Sequence, residues 1–131
     1  MTQKEQRIEI AEFCGWKWYR ATGSELVSTI ITFNINLTGH WEEIPRPDDY
    51  LDNVVAFVNC PDYPNDLNAM RDAESCLGSL GLYYQNLTDV MMRIVGGGYS
   101  RGHSQILVSV TTARAEYRSE AFIRTIGKWR D

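Results

Sequence analysis

The feature that most constrains the fold is a change of period at Gly15. Thr2 to Glu5 reads T-x-x-E, the capping box that starts a helix by exchanging side-chain and backbone hydrogen bonds. Ile10, Ala11, Phe13 and Cys14 then fall at helical spacing, and Gly15 is a natural stop because it tolerates the left-handed backbone that closes a helix. A helix is therefore expected over 3–14. The next residues, GWKWYR over 15–20, read instead as a short strand over 17–20. In that reading Trp16, Trp18 and Arg20 face one way, and Lys17 and Tyr19 the other.

The rest of the chain continues the alternation of periods. Ile31, Phe33, Ile35 and Leu37 alternate with polar residues and predict a half-buried strand. Residues 38–49, TGHWEEIPRPDD, predict an ordered but irregular loop. Val54 to Val58 predicts a short apolar strand. The loop from Cys60 ends in a helix capped at Asn65 or Asp66, with Leu67, Met70, Ala73 and Leu77 on its buried face. A second helix is expected to bury Tyr84, Leu87, Val90, Met91 and Ile94. A glycine-rich loop over 96–102, a strand over Gln105–Val110 and a last helix capped by Thr111-Thr112 complete the pattern. That helix is expected to run to about Thr125. Ala115, Ser119, Phe122, Ile126 and Trp129 lie along one face, which would be core. Helices alternating with strands predict one α/β (α+β) domain over 1–131, a small layered sandwich with a β-sheet packed by helices.

Composition limits the partners. The 131 residues suffice for one domain with a core of its own, and the net charge of −4 argues against a duplex nucleic-acid partner, which needs a broad basic face. A small anionic ligand needs only two or three local cations. The three cysteines, Cys14, Cys60 and Cys76, contain no C-x-x-C pair and are expected to be reduced thiols in a cytosolic setting. No apolar run approaches membrane-spanning length and the first residues lack a signal-peptide core, so no membrane partner is expected.

Candidate chemistry is concentrated in three places. In the last helix Glu120 and Arg124 form an i,i+4 pair, whereas Arg114 and Arg118 are four apart with no acid at i±4. Near a helix N-terminus two such arginines are either solvated or partner-contacting cations, or the jaws of an anion site. The Trp16, Trp18 and Arg20 cluster is either core packing or a surface that stacks a base and holds a phosphate. Tyr83 and Tyr84, with Trp41 and Tyr50, are further candidates for stacking. Tyr99 and Arg101 lie in the glycine-rich loop, which lacks the G-x-x-x-x-G-K-[ST] pattern and so is not a Walker loop; it is a surface connection or a cover over a ligand. No catalytic set is recognisable. His40 and His103 stand in different loops, no metal-ligand spacing is present, and Asp48, Asp49 and Asp52 lack calcium-loop spacing.

Three segments carry a resemblance to a known family. CGWKWYR over 14–20, DYPNDLNAMRDAES over 62–75 and TTARAEYRSEAFIRTIGKW over 111–129 resemble the phage "ABA sandwich" domain of small phage proteins. The family pattern is a helix ending in a C-G-W-like turn, a D-Y-L-N-D-L-N-A-M helix and a closing A-T-A-x-Q-R-A-E-A-F-L-R-T-L-G-K-W segment. This chain has Pro64 where the family tends to have leucine, and Arg118 and Ser119 where the family's closing segment has fewer residues. Residues 21–59 have no counterpart in the short form of the family.

The chain also resembles the first family of anti-Thoeris proteins. That resemblance implies a non-catalytic sponge acting in the cytoplasm of an infected bacterial host. It would sequester a nucleotide-derived immune signal of the cyclic ADP-ribose type, and cyclic oligonucleotides as well, and would work as a homo-oligomer without a cofactor or metal. The ligand-binding candidates, taken from helix geometry and residue clusters and not from a family motif, are Arg114, Arg118, Trp16, Trp18, Arg20, Tyr84, Tyr99 and Arg101. No catalytic residue is carried over. Two other classes stay open: a phage accessory protein that binds a host protein directly, and a small nucleotide hydrolase using His40 or His103.

Overall fold

The computed structural model describes residues 1–23, 30–52, 57–95 and 112–131. The expected strand over Gln105–Val110, the glycine-rich loop with Tyr99 and Arg101, and His103 lie outside the described residues, as do most of Val54–Val58.

Helix α1 spans Gln3–Phe13 and opens with the capping box read from the sequence: Thr2 accepts from the Glu5 amide and Glu5 accepts from the Thr2 amide. It closes in a Schellman motif around Gly15, whose φ is 101°. The Gly15 amide donates to the Glu12 carbonyl at 3.2 Å and the Trp16 amide to the Ala11 carbonyl at 2.9 Å. Strand β1, Lys17–Ala21, leaves that motif directly.

β1 is central in a sheet of order β3-β1-β2-β4. It pairs antiparallel with β2, Ile31–Asn34, and with β3, Trp41–Ile44; β4, Phe57–Val58, adds parallel to β2. β3 corrects the expectation of an irregular loop over 38–49. Its WEEI sequence has no apolar alternation, but it places Glu42 opposite Arg20 and Glu43 opposite Tyr19, beside Lys17. Both cations then meet a carboxylate at 3.5 Å. β2 is also shorter than expected. Asn36 takes a positive φ of 53°, the chain bends away, and Ile35 ends up exposed.

Helix α2, Leu67–Glu74, is capped by Asp66, whose carboxylate accepts from the amides of Asn68 and Ala69. A 3₁₀ turn over Tyr63–Asn65 precedes it. Met70 and Ala73 are buried as expected, whereas Leu67 is exposed at the first turn and Leu77 is half-buried. Helix α3, Gly81–Val95, buries Tyr83, Leu87, Val90 and Met91. Tyr84 and Ile94 are exposed, so the buried stripe runs one residue out of phase with expectation at the start of the helix. Helix α4, Ala115–Thr125, begins later than a Thr111-Thr112 cap implies: Arg114 holds the N-cap position with no side-chain cap. It ends in a second Schellman motif, at Gly127.

One core joins the helices to the sheet. Ile8 and Ile10 of α1, Trp18 and Phe33 of the sheet, Leu87 of α3 and Phe122 of α4 belong to a single buried cluster. The domain is α+β, a sheet packed by helices. α3 and α4 run antiparallel, since Asn86 Nδ2 donates to Thr125 Oγ1 at 3.0 Å near one end and Arg93 pairs with Glu120 further along. None of the described helices is long and apolar enough to cross a membrane.

The acidic face of α1 is tied down by two arginines, Arg46 from the segment after β3 and Arg130 near the end of the chain. Arg46 makes a two-pronged pair with Glu12, both bonds at 2.7 Å, and reaches Glu9 at 3.0 Å. Arg130 donates to Glu5 at 3.0 Å and Glu9 at 3.3 Å.

Two outcomes follow from this architecture. A Cβ at Gly15 would meet nothing within 4 Å, so Gly15→Ala should cost about 1 kcal/mol through backbone strain alone, read as a lower urea midpoint with an unchanged m-value. The hydrogen bond from Arg130 holds the Glu5 carboxyl below its usual range, more than burial raises it. With a folded-state value below the unfolded one (roughly 4.3 for a free glutamate), the stabilisation is present above the unfolded value and is lost as pH falls through the folded one. Arg130→Met should therefore lower stability at neutral pH by at most about 1 kcal/mol for a half-exposed pair, read as a lower Tm, and leave Tm unchanged at acid pH where Glu5 is protonated.

Candidate functional site

The structure separates residues that the sequence groups together. Trp18 is 3% exposed, stacks on Phe33 with ring centroids 4.5 Å apart, and donates its indole N–H to Glu12 Oε1 at 2.9 Å. It is a core residue with its polar atom satisfied, and no base can stack on it. Trp16 is half-buried against Phe33 at 5.6 Å. Tyr19, on the opposite face of β1 from Trp18, is buried as well, so the strand is covered on both sides there. Arg20 is exposed and pairs loosely with Glu42. The aromatic stretch over 15–20 is thus chiefly packing, with Trp16 half-buried and the cations Lys17 and Arg20 reaching solvent.

Arg118 is likewise a correction. It is 5% exposed, and its Nη1 donates to Glu74 Oε1 at 2.8 Å while its Nε donates to the Ala113 carbonyl at 2.9 Å. The same carboxylate oxygen accepts the Tyr83 hydroxyl at 2.7 Å. Burial disfavours the charge on Arg118, but the hydrogen bond and charge of Glu74 outweigh it and hold the guanidinium ionised. Burial, and then Glu74, push the Tyr83 phenol well above its ordinary value, so it remains a donor. Arg118 cannot share an anion with Arg114, because it is turned inward.

Arg114 faces the other way. It is exposed at the N-cap of α4 and, among the described residues, has no side-chain hydrogen-bond or ion-pair partner. It stands on the rim of a groove of about 450 Å³ between the 3₁₀ turn and the start of α4. Pro64, Asn65 and Leu67 form one wall, and residues 112–116 the other. The uncapped first turn of α4 contributes outward backbone donors, and Arg114 a full charge; Glu116 in the same turn opposes both. Exposed Leu67 makes part of that first wall apolar. Such a groove suits a ligand with an anionic group and an apolar or planar part.

Tyr84 is exposed with its ring 5.4 Å from Tyr83, but it sits at the opposite end of the α3–α4 pair from Arg114. The structure therefore brings Arg114 together with Pro64, Asn65 and Leu67, and not with Trp16, Trp18, Arg20 or Tyr84. Tyr99 and Arg101 lie outside the described residues. Among the described residues no group of three or more histidine, cysteine or acidic side chains is arranged to hold a metal.

Sequence reasoning missed Glu74. The signal was present: it falls four residues after Met70, on the buried stripe of α2, and an acid in that position calls for a cation from another element. No protein-family model, curated protein or solved structure shows significant similarity to the chain.

The two arginines should behave oppositely on mutation. Arg118→Met leaves a buried carboxylate without its cation and should cost about 3–5 kcal/mol in urea unfolding. Arg114→Ala should stay within about 0.5 kcal/mol of wild type.

Proposed function

We propose that the protein is a non-catalytic binder that sequesters a small anionic, nucleotide-derived signal. The observation that supports this most is Arg114: an exposed guanidinium, unpaired among the described residues, on the rim of a groove of about 450 Å³, beside the uncapped first turn of α4. The groove volume falls in the range that takes a small molecule, and a phosphate is the group best matched to a planar guanidinium next to helix amides. The resemblance to the first family of anti-Thoeris proteins suggests the ligand class: a cyclic ADP-ribose-type signal, and cyclic oligonucleotides as well, of a bacterial defence system. In that setting the protein works in the cytoplasm of the infected host as a homo-oligomer, and intact capture of the signal, without turnover, is enough to keep the defence effector inactive.

A second reading is a direct blocker of a host protein. Leu80 and Tyr84, both exposed and one helical turn apart at the start of α3, favour it, because exposed aromatic and aliphatic side chains are typical anchors of protein interfaces.

The test is to incubate the pure protein with cyclic ADP-ribose isomers and cyclic di- and trinucleotides, remove free ligand, heat-denature the protein and identify what is released. Intact ligand is the expected result, with Arg114→Ala weakening capture about 10- to 100-fold at unchanged Tm. A shortened product would identify a hydrolase. Empty protein that co-purifies with a host protein would identify the blocker.

A further inference from the structure

Two of the three cysteines meet on one surface depression. Cys14 is the C-cap residue of α1 and Cys76 follows the C-cap of α2, so the sequence gives no reason for them to be neighbours. The fold brings both to the Ala73 carbonyl. The Cys14 thiol donates to it at 3.8 Å, and the Cys76 amide donates to it at 2.8 Å. The Cys76 thiol points at the adjacent Asp72 carbonyl, 3.9 Å away. Both residues line a depression of about 380 Å³ that also holds Tyr63, Asp66 and Asp72. Cys76 is exposed, Cys14 is half-buried and Cys60 is buried.

We infer that Cys14 and Cys76 form a dithiol site that is oxidised to an intramolecular disulfide by small-molecule disulfides, clamping the end of α1 to the end of α2. This inference is independent of the Arg114 groove. The first step falls to the exposed Cys76. Its thiol loses a proton, and the thiolate attacks one sulfur of the reagent RSSR. The reagent's S–S bond breaks, a Cys76–SR bond forms, and RS⁻ departs to take up a proton as RSH. In the second step the Cys14 thiolate attacks Cys76 Sγ, forms the Cys14–Cys76 bond and expels the second RS⁻, which is protonated in turn. The two cysteine sulfurs together lose two electrons, and one RSSR becomes two RSH.

The order of steps follows from exposure. Burial, and then the neighbouring Cys76 sulfur, push the Cys14 thiol well above its ordinary range, so Cys14 is a poor first nucleophile. It becomes competent once Cys76 holds a mixed disulfide, because attack is then intramolecular. Cys60 is an internal control: its thiol donates to the Arg7 carbonyl at 3.8 Å, and burial pushes it up to about 11. Chain proximity alone favours the wrong pair, since Cys60 is closer to Cys76 in sequence than Cys14 is.

The experiment treats the native protein with oxidised glutathione at neutral pH, quenches with acid and maps tryptic peptides without reduction; the three cysteines fall on three different tryptic peptides. The expected result is a Cys14–Cys76 linkage with Cys60 unmodified, a mass loss of about 2 Da, and a Tm raised by several degrees. In Cys14→Ser a stable glutathione adduct should accumulate on Cys76. In denaturant the selectivity should vanish and Cys60–Cys76 pairing should appear. A persistent Cys76 adduct on the wild type with Cys14 free, Cys76–Cys76 dimers, or Cys14–Cys76 pairing that survives denaturant would each overturn the inference.

Discussion

Glu74 is the residue on which the helical layer turns. One oxygen of its carboxylate accepts from Arg118 of α4 and from Tyr83 of α3, while the residue itself ends α2. A carboxylate taken out of water costs several kcal/mol unless its lone pairs are filled, so the three helices must arrive together for any of them to be stable there. An apolar trio of the same volume would pack as well but would tolerate sliding of one helix along another. The hydrogen-bonded trio fixes the register. It also reaches the groove, because Arg118 Nε holds the Ala113 carbonyl and thereby sets where α4 begins. Arg114 is exposed at the rim because Arg118, one turn later, is anchored inward.

The sheet is held by a different balance. Trp18 is packed between Phe33 and Tyr50 and bonded to Glu12, so a single ring links β1 to β2, to the segment after β3 and to α1. The carboxylates of α1 that make the chain acidic are not a solvated face. Glu5, Glu9 and Glu12 are the anchor points for Arg46 and Arg130. These pairs are partly buried and multiply bonded, which places them above isolated surface ion pairs in worth. Net charge therefore says little about which surface meets a ligand here, since the three glutamates of α1 are taken up by Arg46 and Arg130.

What was legible in the sequence was local. The capping box at Thr2, the stop at Gly15 and a cap at Asp66, one of two candidates there, depend on residues within a turn or two of each other and appear as expected; of the α4 stripe Ala115, Ser119 and Phe122 are buried as expected, while Ile126 and Trp129 lie past the helix end and are half-buried. What was not legible depended on partners far away in the chain. β3 forms because Glu42 and Glu43 meet Arg20 and Lys17 across a strand pair, not because WEEI favours a strand. Tyr83 and Tyr84 are the same residue type side by side, and apolar periodicity points to Tyr84 as the buried one; the buried acceptor on Glu74 selects Tyr83 instead. Arg114 and Arg118 look equivalent on a helix ridge, and again Glu74 separates them. The Cys14–Cys76 neighbourhood had no sequence signal, because it arises from two helix ends that only the tertiary fold brings together.

The separation of Arg114 from the exposed rings has a consequence for how a nucleotide would be held. α4 has 11 residues, about 16 Å of helix, and Arg114 stands at one end of it with Tyr84 near the other. Trp18 is closed, and Trp16 packs on the sheet. A phosphate on Arg114 is therefore too far from Tyr84 for one mononucleotide to use both. Base stacking at the groove has to come from a group outside this set: from Tyr117 or Trp129, which line an adjoining depression that shares Pro64 and Glu116 with the groove, or, in a homo-oligomer, from a second copy laid across the Arg114 rim. A capture assay run across protein concentration separates the two arrangements. Affinity that falls as the assembly dissociates means that the site is completed by a partner. Affinity independent of concentration means that one chain holds the ligand alone, through its charge and the apolar wall at Leu67.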